Sequence, residues 1–236
     1  MENRADQVIR LISLAQQNRE FSLNPMDANT VVGAYGIETA KSIFVNANLE
    51  KVVAAAEEIG FPLVLKLISQ KLLHKSDAGL VHLSIQDKEG VRRAYHEILK
   101  NKERADDTAE INGFLVQRML QNGYEVIVGL AADPTFGKIV LFGMGGIFIE
   151  ILKDFAIRKI PISRSDARDM IEEIKGYQIL KGARGKEPAN LKSLEELLLS
   201  VSRLGMEVSQ IKEMDLNPVL VNSQKASVAD IRIIVQ

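Results

Sequence analysis

No cysteine occurs anywhere in the 236 residues, which excludes disulfides, thiolate nucleophiles and cysteine-ligated zinc or iron. Any metal must then be held by oxygen or by histidine, and the composition fits a reducing, cytoplasmic compartment, which is where we expect the protein. Excess charge is missing too. Thirty basic and 31 acidic residues leave a net charge of -1, so no global field draws in DNA or an anionic membrane, and neither is expected as a partner. Nor is there a long apolar run: the longest, Ile139 to Ile149, is interrupted by three glycines, ends at Glu150 and is too short to span a bilayer. The opening MENRADQVIRL mixes charges of both signs and does not read as a signal peptide. Internal repeats and low-complexity segments are absent. What remains is an ordinary globular composition, 46% hydrophobic and 26% charged, at a length that suits one composite domain or two small ones.

Residues 5 to 20 place Val8, Ile9, Leu11, Ile12 and Ala15 on one side of a helix, and Asn24-Pro25 separates it from a second helical stretch. We read residues 1–24 as an N-terminal helical extension. From Lys41 the pattern turns to strand, helix, strand: IFVNA, the helix LEKVVAAAEEI stopped by Gly60, and PLVLKLIS. The strand LVHLSI and a helix at about 88 to 100 follow. Two β-rich runs, GFLVQRML and YEVIVGLA, then flank Gln121-Asn122-Gly123, which predicts a hairpin. KIVLFGMGG, a β-rich stretch to Ile162, helices at about 164 to 175 and 190 to 206, and a terminal hairpin from Glu213 to Val235 complete the chain. Alternating strands and helices with antiparallel pairs at the end predict α/β organisation in two α+β lobes around a cleft. The lobes are expected at residues 25–118 and 119–236.

Several polar side chains sit where a strand offers them little reason to be. Lys66 lies inside an apolar strand and shares a face with Val64 and Ile68, so its ammonium needs an anion: an internal carboxylate, or a phosphate. Glu125 shares a face with Ile127 and Gly129, whose missing side chain leaves room for a ligand; it could accept from a sugar hydroxyl or pair with a lysine. The run GMGGIFIE, Gly143 to Glu150, can present backbone N–H groups to an anion but lacks Walker or Rossmann spacing. Asp215 and Asn217 share a strand face and offer the hard oxygens that Mg²⁺ prefers. If Gln224-Lys225 is a two-residue turn, Val219 faces Asp230 and that acid joins them; a three-residue turn puts it on the opposite face. His74, in QKLLHKSDAG, is flanked by Lys71, Lys75 and Asp77, and is either a solvated loop residue or a nucleophile whose phosphorylated form the lysines would neutralise. His82 and His96 have no such cluster.

The segments AAEEIGFPLVLKLIS, LLHKSDAGLVHL, GFLVQRML, GYEVIVGLAADPTFGKIVLFGMGGIFIEILKDFAIR, GYQILKGARG and EMDLNPVLV, in this order and spacing, resemble the beta subunit of archaeal-type ADP-forming acetyl-CoA synthetases, relatives of the succinyl-CoA synthetase beta chain. The resemblance runs from about residue 30 to residue 233 and implies an ATP-grasp fold that binds ATP or ADP. By it, Lys66 touches the nucleotide phosphates, the strand end Gln117, Arg118 and Met119 meets adenine through its backbone, and Glu125 holds the ribose. Asn217 and Asp230 carry Mg²⁺, with Asp215 ligating or orienting, and Arg158 neutralises the transferred phosphate. His74 matches the family's second phosphohistidine, which passes a phosphoryl group to ADP. Two places depart from the family pattern: Ser69-Gln70-Lys71 stands for Ser-Pro-Asp, and Asp77-Ala78-Gly79-Leu80 for Asp-x-Gly-Gly. The Gly182-Ala183-Arg184-Gly185 segment matches a family signature without a role derivable from its residues. The implied reaction converts acyl-CoA, ADP and phosphate to acid, CoA and ATP, and a separate CoA-binding alpha subunit is the implied partner, in an α2β2 assembly. Two rival readings are a succinyl-CoA or malyl-CoA synthetase-type beta chain and a non-catalytic nucleotide-sensing ATP-grasp module.

Overall fold

The structure is a computed structural model that describes residues 3–69, 78–106, 108–146, 153–182 and 185–236. Asparagines start the first helices. Asn24 accepts hydrogen bonds from the Met26 and Asp27 amides at 3.0 Å each to open α2 (Pro25–Gly33), with proline at the first helical position where its missing N–H costs nothing. Asn3 caps α1 (Arg4–Gln17) in the same manner. The expected apolar stripe of α1 is realised, with Ala5, Val8, Ile12 and Ala15 buried.

The chain divides into two compact units, Ala40–Leu120 and Met1–Thr39 together with Gln121–Gln236. The first lobe of the sequence reading began at residue 25, whereas residues 1 to 39 belong with the second unit. Val8, Ile12, Leu23, Val31 and Val32 share one core cluster with Val126, Leu216 and Ile233. The connecting stretches also bond to that unit's strands: Leu23 donates to the Ile233 carbonyl at 3.0 Å, and Val228 donates to Glu38 at 2.8 Å. Each fully buried aliphatic side chain in such a cluster contributes roughly 1.5–3 kcal/mol, enough to decide where a short helix packs.

The unit Ala40–Leu120 comprises β1 (Ser42–Val45), α3 (Leu49–Ile59), β2 (Leu63–Ile68), β3 (Val81–Ile85), α4 (Lys88–Ala105) and β4 (Gly113–Arg118). The strands form an antiparallel sheet in the order β1-β4-β2-β3. Leu63, Leu65, Leu67, Phe114 and Val116 turn one face towards Val52, Ala56, Val91 and Ile98 of the helices. The other face carries Val64, Lys66 and Ile68 of β2 beside Leu115 and Gln117 of β4.

The second unit adds β5 (Tyr124–Asp133), β6 (Gly137–Met144), β7 (Phe155–Lys159), α5 (Arg164–Glu173), α6 (Tyr177–Leu180), α7 (Leu191–Glu207), β8 (Ile211–Val221), β9 (Ala226–Val228) and β10 (Ile231–Val235). Its sheet runs β10-β8-β5-β6-β7, with β9 paired to β8. Met170, Leu198 and Val201 of α5 and α7 cover one face, where Val126, Val128, Leu130, Val140 and Phe142 are buried. The Lys138 ammonium donates to the Gly205 and Val208 carbonyls at 2.9 and 2.8 Å, closing the end of α7, and burial lowers its pKa. Among the described residues no helix is long and apolar enough to cross a membrane.

The hairpin expected at Asn122-Gly123 does not form. The neighbours of β4 are β1 and β2, those of β5 are β6 and β8, and the two runs therefore lie in different sheets. Asn122 does adopt the left-handed conformation that such turns use, with φ 56°, but it serves the crossing from one unit to the other.

Candidate functional site

In the unit Ala40–Leu120, strand alternation puts Lys66 on the face opposite the helices. It stands across from Leu115 on β4 and Val81 on β3, one same-face position along β2 from Val64, which stands across from Gln117. Val64, Ile68, Leu115 and Gln117 are all buried, so the strand position of Lys66 has largely apolar neighbours. At the end of β4 the backbone amides are already engaged: Arg118 donates to the Lys41 carbonyl at 2.8 Å and Met119 to the Pro62 carbonyl at 3.1 Å. A base meeting this strand end would therefore use its carbonyl oxygens. The Arg118 side chain turns to the helix side, where Nη1 donates to the Ile59 carbonyl at 3.4 Å over Gly60, whose Cβ would come within 2.9 Å of it.

In the second unit, Glu125, Ile127 and Gly129 of β5 face away from the helices. Gly129 stands opposite Asp215 on β8 and opposite Leu141 on β6, so the missing side chain lies directly beside the Asp215 carboxylate's strand position. β8 contains one extra residue: Asn217 and Pro218 together oppose Ile127. This bulge switches the buried positions from Met214 and Leu216 to Val219 and Val221, and keeps Asp215 and Asn217 off the core. Bulges re-aim side chains in this way beside functional sites.

The terminal hairpin turns through Ser223-Gln224, with Asn222 donating to the Lys225 carbonyl at 3.0 Å. Asp230 thus lies opposite Asn217, whose N–H donates to its carbonyl at 3.1 Å, and Val219 pairs with Val228 instead of Asp230. The register differs by two residues from the one that a Gln224-Lys225 turn implies, and since side chains alternate with period two the face is unchanged. Burial, and then the negative charges of Asp230 and Glu213, raise the pKa of Asp215, against a smaller opposing effect of Arg232. Asp215, Asn217 and Asp230 thus share one face of the hairpin, and their carboxylate and amide oxygens are of the kind that a hard divalent cation takes alongside waters and phosphates. Among the described residues no group of three or more histidines, cysteines, aspartates or glutamates is placed to hold a metal ion.

The glycines after β6 approach Glu125 closely. Gly145 donates to the Glu125 carbonyl at 2.8 Å, a Cβ on it would meet the Glu125 backbone at 3.1 Å, and the Cβ position of Gly146, at φ 62°, is 3.7 Å from Glu125 Oε2. His74 and Glu150 lie outside the described residues, as do Ala183 and Arg184 of the Gly182–Gly185 signature.

Arg158 lies apart from these residues. β7 pairs with β6 so that Phe155, Ile157 and Lys159 share a face with Gly143 and Leu141, whereas Arg158 pairs with Val140 on the helix-covered side. There it forms an ion pair with Glu173 of α5, donates to the Ile157 carbonyl at 2.9 Å, and has its pKa raised chiefly by the Glu173 hydrogen bond. It is a strand-to-helix tie, on the other face of the sheet from Glu125 and Asp215.

Asp154 escaped the sequence reading. Its carboxylate, 5% exposed, accepts from the Lys175 and Gly176 amides at 2.7 Å each, and Gly176 has no space for a Cβ, which would stand 2.2 Å from Met144 Cγ. This clasp joins the start of β7 to the start of the GYQIL signature. An acid standing directly before the strand FAIRK was the available signal. Asp154→Ala is expected to destabilise the protein by about 2–4 kcal/mol, because it orphans two amides of charge-assisted hydrogen bonds. Denaturant unfolding of the two proteins checks this, and superimposable curves would refute it.

A profile of the ATP-grasp domain family matches residues 14–235. The beta subunit of ADP-forming acetate–CoA ligase II of Pyrococcus furiosus is 46% identical over 213 residues, covering 89% of this chain and 90% of that one. An acetyl-coenzyme A synthetase of Candidatus Korarchaeum cryptofilum, solved with coenzyme A and Ca-AMPCP, superposes with a TM-score of 0.93 at 40% identity over 96% of this chain and 99% of that one. A second structure of that enzyme, with coenzyme A and Mg-AMPPCP and with its phosphohistidine segment pointing towards the nucleotide site, gives a TM-score of 0.84 at 38% identity, covering 97% and 100%.

Proposed function

Because the chain belongs to the ATP-grasp family that includes the beta subunits of ADP-forming acetate–CoA ligases, we propose that it performs the last step of such an enzyme, moving a phosphoryl group from His74 to ADP. The reading is supported above all by the second face of the large sheet, which collects Glu125, the side-chain gap at Gly129, Asp215 and Asn217, with Asp230 opposite Asn217. In it Lys66 binds the phosphates, Glu125 accepts from the ribose hydroxyls, and the carbonyls of Gln117 to Met119 meet the adenine edge. Asp215, Asn217 and Asp230 would hold Mg²⁺, which when bound neutralises phosphate charge. The P–N bond of the phosphohistidine breaks as a terminal oxygen of ADP forms the new O–P bond, and the imidazole leaves with the electron pair and takes a proton. Little covalent chemistry is asked of the protein beyond that; positioning and charge stabilisation provide the rate.

The alpha subunit that would phosphorylate His74 is a CoA-binding chain, and α2β2 is the assembly we propose. That partner is supported by the naming of the Pyrococcus relative as a beta subunit and by the coenzyme A in the Korarchaeum structures. Incubation of the chain with Mg²⁺ and radiolabelled ATP runs the step in reverse and is expected to leave acid-labile, base-stable phosphate on His74. Addition of the alpha subunit, acetyl-CoA, ADP and phosphate should then yield ATP. A chain that binds ADP but takes no acid-labile phosphate would refute the relay and favour a binding module.

A further inference from the structure

The strand registers arrange the open face of the second unit's sheet in rows that cross it from β7 to β10. One row reads Ile157 on β7, Leu141 on β6, Gly129 on β5, Asp215 on β8 and Arg232 on β10. In the row to one side Glu213 pairs with Ile234; in the row to the other, Asn217 donates its N–H to the Asp230 carbonyl. Ile233 and Val235 of β10 are buried in the helix-side core, so Arg232 stands on the open face, as does Asp230 two residues before it. Among the described residues the registers give this face two cations. Lys159 lies on β7, at the opposite edge of the sheet from β10, which leaves Arg232 as the cation beside the acids. Its guanidinium pairs with Glu213, Nη1 to Oε1 at 4.0 Å, and both side chains are about half exposed. An ion pair of that kind contributes little and is readily exchanged.

We propose that Arg232 is a phosphate-binding residue, which exchanges Glu213 for the non-bridging oxygens of the terminal phosphate of ADP. The inference rests on the reading of Asp215, Asn217 and Asp230 as the magnesium–nucleotide site. Neutralising phosphate is the role that the resemblance gives to Arg158, but Arg158 lies on the helix-covered side of the sheet, whereas Arg232 shares the face of the acids. A divalent cation offsets two of the three carboxylate charges of Glu213, Asp215 and Asp230. The phosphates that accompany it bring negative charge of their own, and the planar guanidinium fork matches their oxygens in pairs. A brace for the acids would behave differently. If Arg232 only held the carboxylates in place, its loss would weaken the cation site, whereas a phosphate contact predicts the reverse, because taking a positive charge from beside Asp215 favours a bound cation.

Calorimetric titration of ADP in the presence of Mg²⁺, and of Mn²⁺ without nucleotide by electron paramagnetic resonance, both on the whole chain, separate the two roles. Arg232→Gln is expected to weaken ADP binding by roughly 10–100-fold, the worth of a charge-assisted contact, and to leave Mn²⁺ affinity unchanged or raised. Arg232→Lys, which keeps the charge without the fork, should fall between in ADP affinity and stands in if the glutamine variant does not fold. Glu213→Gln, which releases the arginine, should tighten ADP binding by up to about fivefold, and only while Arg232 is present. ADP affinity within about twofold of wild type in folded Arg232→Gln, too little for a lost charged contact, would overturn the proposal. So would a matching loss of Mn²⁺ affinity, or an equal gain from Glu213→Gln in the Arg232→Gln background. A wild-type chain that takes up Mn²⁺ but no ADP would instead remove the nucleotide reading and this inference with it, so the wild-type control tells the two failures apart.

Discussion

With His74 replaced by alanine, the chain is expected to bind ADP as before and to lose phosphoryl transfer by at least about 10³-fold, the scale on which removal of a covalent nucleophile acts. In the proposed relay the transfer is covalent at this residue, so no neighbouring charge can substitute for the imidazole. Nor can the other two histidines. His82 pairs across to Leu65 on the helix-covered face of its sheet, with Nδ1 3.6 Å from Glu97 of α4, and His96 lies on α4 with its ring edge-on to Tyr95 at 5.6 Å. His74→Gln, which keeps a polar side chain but no nucleophilic ring nitrogen, should be equally inactive. ATP formation with the alpha subunit, and acid-labile phosphate on the chain alone, read the two halves of the claim. Undiminished turnover in His74→Ala would mean that phosphate reaches ADP by another route.

What could be read along the chain depended on how local its cause is. Helix starts were legible because a cap is a matter of two or three residues, as at Asn24-Pro25. The pairing of strands was not: the Asn122-Gly123 turn chemistry is present, yet β4 inserts between β1 and β2, a choice made by contacts 45 to 75 residues away in sequence. Face assignments survived even a shifted register, since Asp230 moved by two positions relative to β8 and parity was conserved. The bulge at Asn217-Pro218 was not legible, although proline inside a strand is a known marker of one. Arg158 shows the limit most clearly. Alternation along FAIRK separates it from Phe155 and Ile157, but its ion pair with Glu173 requires knowing that α5 packs on that side. Asp154 likewise became meaningful only when Lys175 and Gly176 were brought to it.

Lys66→Met is expected to lower ADP affinity by about 10–100-fold, the equivalent of one strong charge-assisted hydrogen bond of roughly 1.5–3 kcal/mol, while leaving the fold intact. The two effects separate for a physical reason. Methionine has similar length and suits the surround of Val64, Ile68 and Leu115, so the packing of the strand should be kept. Lys66→Arg should fall between, since the guanidinium keeps the charge but needs more room than the compact ammonium. The defect should be larger for ADP than for AMP, and absent for adenosine, because an ammonium acts on phosphate and has nothing to offer the base. Calorimetric titration with the three ligands, beside a melting curve for each variant, distinguishes these cases. If adenosine binding fell as far as ADP binding, Lys66 would be supporting the shape of the strand and not contacting phosphate.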